Sequence, residues 1–352
     1  MIIDFLRSLH TFELASLTVL IGVLVNTAML RIGGISPGGI LSTAFCLMAA
    51  GSSIYWAASL LILAPCISWL YSTFFSRIYE GRQPVFIMTI MSVTAAAIIS
   101  IIMDATNIMP IDNLGVPLGM ILPAIVASAV HKQGFFKTYR YLTVALFLVA
   151  ELMVIIVVGG NWLGLDLTSM QRSIDSRAVL DLNWGALFAV ASAILGYLMY
   201  RRFKVKSAGF IILPLMATLA VVSPLNFLLL LLTAAIVYAI AVVLRRYTLV
   251  VGTSRYALVC TLSICVVWTI TYLLLHFTGR FSPYMGSGVF AALASSVIAN
   301  EHTMYGVKRT FPLFIISLAI MATIEVAVSL IVAMPHPGNA LRYYVIHQEV
   351  RK

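Results

Sequence analysis

LNFLLLLLTAAIVYAIAVVL, residues 225–244, contains no charged residue and is apolar on every face. Wound as a helix at 1.5 Å per residue, these twenty residues cover about 30 Å, the thickness of a bilayer's hydrocarbon core. VFIMTIMSVTAAAIISIIM, residues 85–103, repeats the pattern. A transmembrane β-barrel needs strands that alternate apolar and polar residues, so both runs exclude it and require helices whose backbone groups are satisfied internally.

The whole chain agrees with these two runs. Of 352 residues, 62% are hydrophobic and 10% charged, whereas about a quarter of a globular domain is charged. The composition therefore specifies an all-α polytopic membrane protein. The first apolar run, 14–30, follows Arg7 but lacks a small-residue cleavage site, so it reads as the first span and not as a signal peptide. Cys46, Cys66, Cys260 and Cys265 lie within apolar runs without metal-ligand spacing, which makes them packing residues. The net charge of +10 is explained by basic turns between spans and does not call for nucleic acid.

Set against itself at an offset of about 170, the chain shows two tandem copies. Arg31 and Gly39 fall on Arg201 and Gly209, Gly81 falls near Gly252, and Gly119 falls on Gly288. Each copy runs long span, glycine-marked short segment, long span, basic turn, long span, short segment, basic turn, long span. This gives about six membrane segments per copy. The division is repeat 1 at 1–165, an outward-facing linker at 166–182 and repeat 2 at 183–352. The basic turns at 76–83, 131–140, 201–206, 245–255 and 301–309 belong in the cytoplasm, with 104–113 and the linker opposite. Both copies begin and end on the same side, so their topologies are parallel and not inverted.

Function-bearing residues are sparse. Gly34, Pro37 and Gly39 mark the first short segment, and Gly119 and Pro123 mark the second. Gly209 and Gly288 hold the related places in repeat 2. One reading is that such helices are broken or re-entrant, so that their freed backbone groups must be covered by protein or line a polar cavity. Close helix packing through small residues explains the glycines equally well. His131, Lys132, Gln133 and Gly134 end the second segment with cations suited to a helix C-terminus and a glycine stop, and they also suit an anionic ligand. Glu151 and Glu325, each in the last span of its copy, read as buried ionisable groups: either proton sites or partners of a basic residue across the bundle. No phosphate-cradling loop, zinc motif or nucleophile elbow occurs, so no residue is assigned as catalytic or metal-binding.

GISPGGIL (34–41) and GMILPAIVASAVHKQG (119–134) resemble the two glycine-proline segments of the CapC/PgsC family, the membrane subunit of bacterial poly-γ-glutamate synthases. IYEGRQ (78–83) is similar to that family's basic turn. Members are usually half this length, so the chain resembles a fused, diverged dimer. In repeat 2, Ala292 stands for Pro123, Glu301 and His302 stand for Lys132 and Gln133, and Ser207 stands for Pro37. The resemblance implies a multi-pass protein of the bacterial cytoplasmic (inner) membrane that anchors a cytosolic Mur-ligase-like amide ligase of CapB/PgsB type, with a CapA/PgsA-type subunit as a further partner. ATP and Mg would sit on that ligase, with no cofactor in this chain. Arg77, Arg82, Lys132, Gln133, Gly134, Arg201 and Arg202 are then the candidates for meeting the ligase or the anionic polyglutamate. The competing expectation is an autonomous secondary transporter using Glu151 and Glu325.

Overall fold

A computed structural model of the protein describes residues 14–52, 54–77, 83–106, 120–162, 182–205, 212–247, 252–278, 284 and 288–333. Among the described residues all regular structure is helical, in two sets of six. Repeat 1 comprises α1 (Leu14–Gly33), α2 (Ser42–Ser52), α3 (Ile54–Leu70, extended by a π-helical turn over Tyr71–Phe75), α4 (Gln83–Ala105), α5 (Leu122–Gln133) and α6 (Phe135–Trp162). Repeat 2 comprises α7 (Leu182–Phe203), α8 (Ile212–Val222), α9 (Pro224–Tyr247), α10 (Gly252–Thr278), α11 (Gly288–Tyr305) and α12 (Val307–Ala333). Six of these helices are long and apolar enough to cross a membrane: α1, α3, α6, α9, α10 and α12. The chain is a multi-pass membrane protein.

Helix directions follow from side-chain contacts. α2 returns along α1, since Asn26 bonds to Ile40 and Thr43 while Gly22 packs on Ala44. α6 is antiparallel to α1, with Gly33 against Tyr141 at one end and Thr18 bonded to Met153 further along. α3 and α5 run side by side to the same end, where Ser72 meets His131. α4 runs the other way. Its Ser92 hydroxyl donates to the Met120 carbonyl at 2.7 Å and accepts from the Ala124 amide at 3.1 Å. Ser92 thus caps the first turn of α5 from a neighbouring helix, where Pro123 supplies no donor of its own. Because Ser92 lies nine residues into α4, α5 begins about 13 Å from the end at which α4 starts. It is a half-depth helix.

The same arrangement recurs in repeat 2, and side-chain clusters fix its register. Ile67, Tyr71, Met88, Ala124 and Ala127 form one buried cluster, and Val237, Ala241, Val259 and Ala299 form its counterpart. With Ser296 at the place of Ala124, the remaining pairs differ by 170 in the third helix, 171 in the fourth and 172 in the fifth. Ser263 repeats the Ser92 contact on the Ala292 carbonyl, again at 2.7 Å. Gly134 and Gly306, with φ of 90° and 83°, form the single-residue joints after α5 and α11. This register corrects the sequence alignment at the second short segment. Gly288 matches residue 116 and not Gly119, Pro123 matches Ser295 and not Ala292, and Lys132 and Gln133 match Met304 and Tyr305 and not Glu301 and His302.

The halves join reciprocally, α4 of repeat 1 against α7 of repeat 2, and α10 of repeat 2 against α1 of repeat 1. That exchange is what a two-fold dimer becomes when its subunits are fused. Phe86 near the start of α4 stacks on Tyr200 near the end of α7 at 4.5 Å, so α7 ends where α4 starts. Since α1, α3 and α5 also end there, the repeats are parallel. Their basic termini share one end of the bundle.

Candidate functional site: the basic end of repeat 1

The two glycine-proline segments, about 90 residues apart in sequence, are in contact. Gln133, the last residue of α5, lays its side-chain amide against the backbone of Ser36. The Ser36 amide donates to Oε1 at 3.3 Å, and Nε2 donates to the Ser36 carbonyl and to Thr138 Oγ1. From the other side, the buried Asn26 amide donates to the carbonyls of Gly39 at 3.0 Å and Ile40 at 2.8 Å. Ser42 donates to the Pro37 carbonyl at 2.6 Å. The irregular loop between α1 and α2 thereby has the protein partners that lipid cannot provide.

Glycine is required here for space as well as for backbone freedom. Gly39 has φ of +119°, and a Cβ on it would lie 2.3 Å from Ile125 Cγ2 of α5. Gly34, at φ of +65°, closes α1 in open space, with its amide bonded to Leu30. Pro123 is buried in the first turn of α5. Gly288 is buried at the head of α11.

Around this clasp lies an exposed cationic rim. Arg77, Lys132, Arg201 and Arg202 are all exposed at helix ends, and the Phe86–Tyr200 stack places the Arg201–Arg202 pair beside the start of α4. His131 meets Ser72 through Nδ1 at 3.3 Å and sets its ring edge-on to Tyr71. A concentration of cations beside a polar-lined loop attracts anionic chains or an acidic protein face. Arg82, Gly119, Gly209 and linker residues 166–181 lie outside the described residues.

Two expectations are corrected. Glu151 is not buried: it is exposed on α6, the least buried of the six long spans. An all-round apolar helix carries no stripe from which its inward side can be read. Glu325 is buried at 6% exposure on α12. Cys46 and Cys260 are buried packing residues, but Cys66 and Cys265 are exposed. Sequence reasoning missed Asn26, Ser36 and Ser92. A polar side chain inside an otherwise apolar run was the available signal for Asn26 and Ser92, while nothing local marks Ser36.

The sequence profile of the capsule biosynthesis protein CapC matches residues 21–139 and again 191–311. These are α1 to the start of α6 and α7 to the start of α12. The chain belongs to the CapC family. The matched stretches begin 170 residues apart and end 172 apart, the same drift that the buried clusters display. CapC sequences are thus present here in tandem duplicate, as a membrane-embedded component of capsule synthesis. No curated protein and no solved structure matches the chain.

Proposed function

We propose that this CapC-family chain is the membrane subunit of a poly-γ-glutamate synthesis and export complex. Its basic end faces the cytoplasm of a bacterium and docks an ATP-dependent, Mur-ligase-like amide ligase, which joins glutamate units while this subunit holds and passes the growing polyanion. The observation that carries the reading is the Gln133–Ser36 clasp. The two segments that resemble the poly-γ-glutamate subunit form one structure, framed by the exposed Arg77, Lys132, Arg201 and Arg202. Repeated carboxylates are the complement of such a rim, and side chains that reach the polymer through it need no catalytic group of their own.

On this reading ATP and Mg belong to the ligase, and a CapA/PgsA-type subunit completes the assembly. The test is co-purification in mild detergent followed by a polymer assay. Membranes holding this chain and its cognate ligase should make glutamate polymer, whereas either alone makes little. Ion-coupled uptake of a small solute by this chain alone, in sealed vesicles, would replace this reading with an autonomous transporter.

A further inference from the structure

Glu151 stands eleven residues after Arg140 and eleven before Trp162 in the same helix. Each interval is about 16 Å. Arg140 and the 88%-exposed Trp162 are the residue types that mark the two membrane interfaces, so the carboxylate lies at mid-bilayer, the least favourable depth for a charge. It is exposed and makes no hydrogen bond or ion pair among the described residues.

Its surroundings have a pattern. Val144, Leu148, Glu151, Ile155, Val158 and Trp162 follow one another at intervals of four, three, four, three and four, and every one is exposed. Phe147, Leu152 and Val154 beside them are exposed too, so the whole face is open, and along it this spacing suits a paired helix in which a single polar residue sets register and partner. The fused twin supplies a control. At the register established above, Glu151 corresponds to Thr323 of α12, also exposed, whose hydroxyl is satisfied by the Ala319 carbonyl of its own helix at 2.8 Å. Repeat 2 turns its own carboxylate near this depth, Glu325, into the bundle, and repeat 1 leaves Glu151 on the outer face.

We propose that this face of α6 docks one transmembrane helix of a partner subunit, and that the partner helix carries a lysine or arginine near its own midpoint. Charge complementarity selects that occupant, because a cation at matching depth neutralises the carboxylate and removes the cost of holding either alone in lipid. One such helix binds per chain, on repeat 1. The proposal is independent of the ligase and of the polymer's identity.

The test uses the full chain reconstituted in phosphatidylcholine vesicles and two synthetic 24-residue leucine-rich helices, one with lysine and one with leucine at the centre, followed by energy transfer. The lysine helix should associate about tenfold more tightly than the leucine helix. Glu151→Leu should abolish the difference, and Thr323→Leu should leave it intact. In native membranes, a photoreactive residue at Ile155 should capture a protein with a basic mid-span residue. Capture should fail in Glu151→Lys and return when that basic residue is made acidic. Equal association of both helices, a cross-linked product at twice the chain's own mass, or labelling of lipid alone overturns the proposal.

Discussion

At the basic end, repeat 1 ties α5 to the loop between α1 and α2 through Gln133 and leaves Lys132 exposed. Repeat 2 has the same single-glycine joint at Gly306, but Tyr305 and Met304 occupy the places of Gln133 and Lys132. There Arg245 donates to the Thr303 carbonyl at 3.1 Å, and Glu301 is buried. Both halves keep the glycine break and a serine of the fourth helix that donates to a carbonyl of the fifth segment, while the side chains above are rewired. The contrast separates what the helical frame needs from what is particular to repeat 1. The frame needs Ser92 or Ser263 and a left-handed glycine, while the glutamine that makes the clasp belongs to repeat 1, its place in repeat 2 being taken by Tyr305.

The comparison depends on parallel repeats, and its most decisive test is all-or-none. In a background with Cys66 and Cys265 replaced, cysteines at Gly134 and Gly306 should react with an impermeant reagent from one side of the membrane only, the same side for both. A cysteine at Ser173 should react from the other. Reaction of Gly134 and Gly306 from opposite sides would break the parallel arrangement and every correspondence drawn from it.

Next in size is the loop itself. Gly39→Val combines a forbidden backbone conformation with a Cβ 2.3 Å from Ile125, and should cost more than about 3 kcal/mol. The variant should fail to accumulate as folded protein in detergent. Gly134→Ala and Gly306→Ala have φ near 90° and 83° but open space around them. Each should cost about 1–2 kcal/mol. Their thermal shifts should agree, since the joints are equivalent, yet Gly134→Ala alone should lower polymer output.

The long spans were legible in the sequence because lipid leaves the backbone no choice but a helix, and the duplication was legible because glycines and arginines punctuate both copies in one order. The local register was not. The offset drifts from 170 to 172 between the third and fifth helices, and a single offset near 169 set Glu301 on Lys132. Nor was the outward side of Glu151 legible, since α6 is apolar on nearly all faces. The two family-like segments were each recognisable, but their contact through Gln133 and Ser36 spans 97 positions, a distance at which no periodicity speaks.

Gln133→Leu sharpens the contrast further. It leaves the part-buried Ser36 amide and carbonyl without their side-chain partner, a cost of about 1 kcal/mol. Melting of the purified protein should shift down accordingly, and polymer output should drop by more than the loss of protein explains. Tyr305→Leu, the matching change in repeat 2, removes no glutamine side chain and should leave output unchanged. Equal losses of output from both would show that the two ends do the same work.

The smallest effects distinguish charge from structure. Lys132 is exposed, so Lys132→Ala should move stability by less than about 0.5 kcal/mol. If the rim guides an anionic polymer or an acidic ligase face, the same change should still reduce output, and raising ionic strength should shrink the difference as screening weakens the wild-type attraction over about 8 Å. Arg245→Ala should do the reverse. It removes one hydrogen bond to a backbone carbonyl, worth about 1 kcal/mol, so melting falls slightly while output per folded molecule holds. A drop in output from Arg245→Ala with no change in melting would move the ligand-facing role to repeat 2.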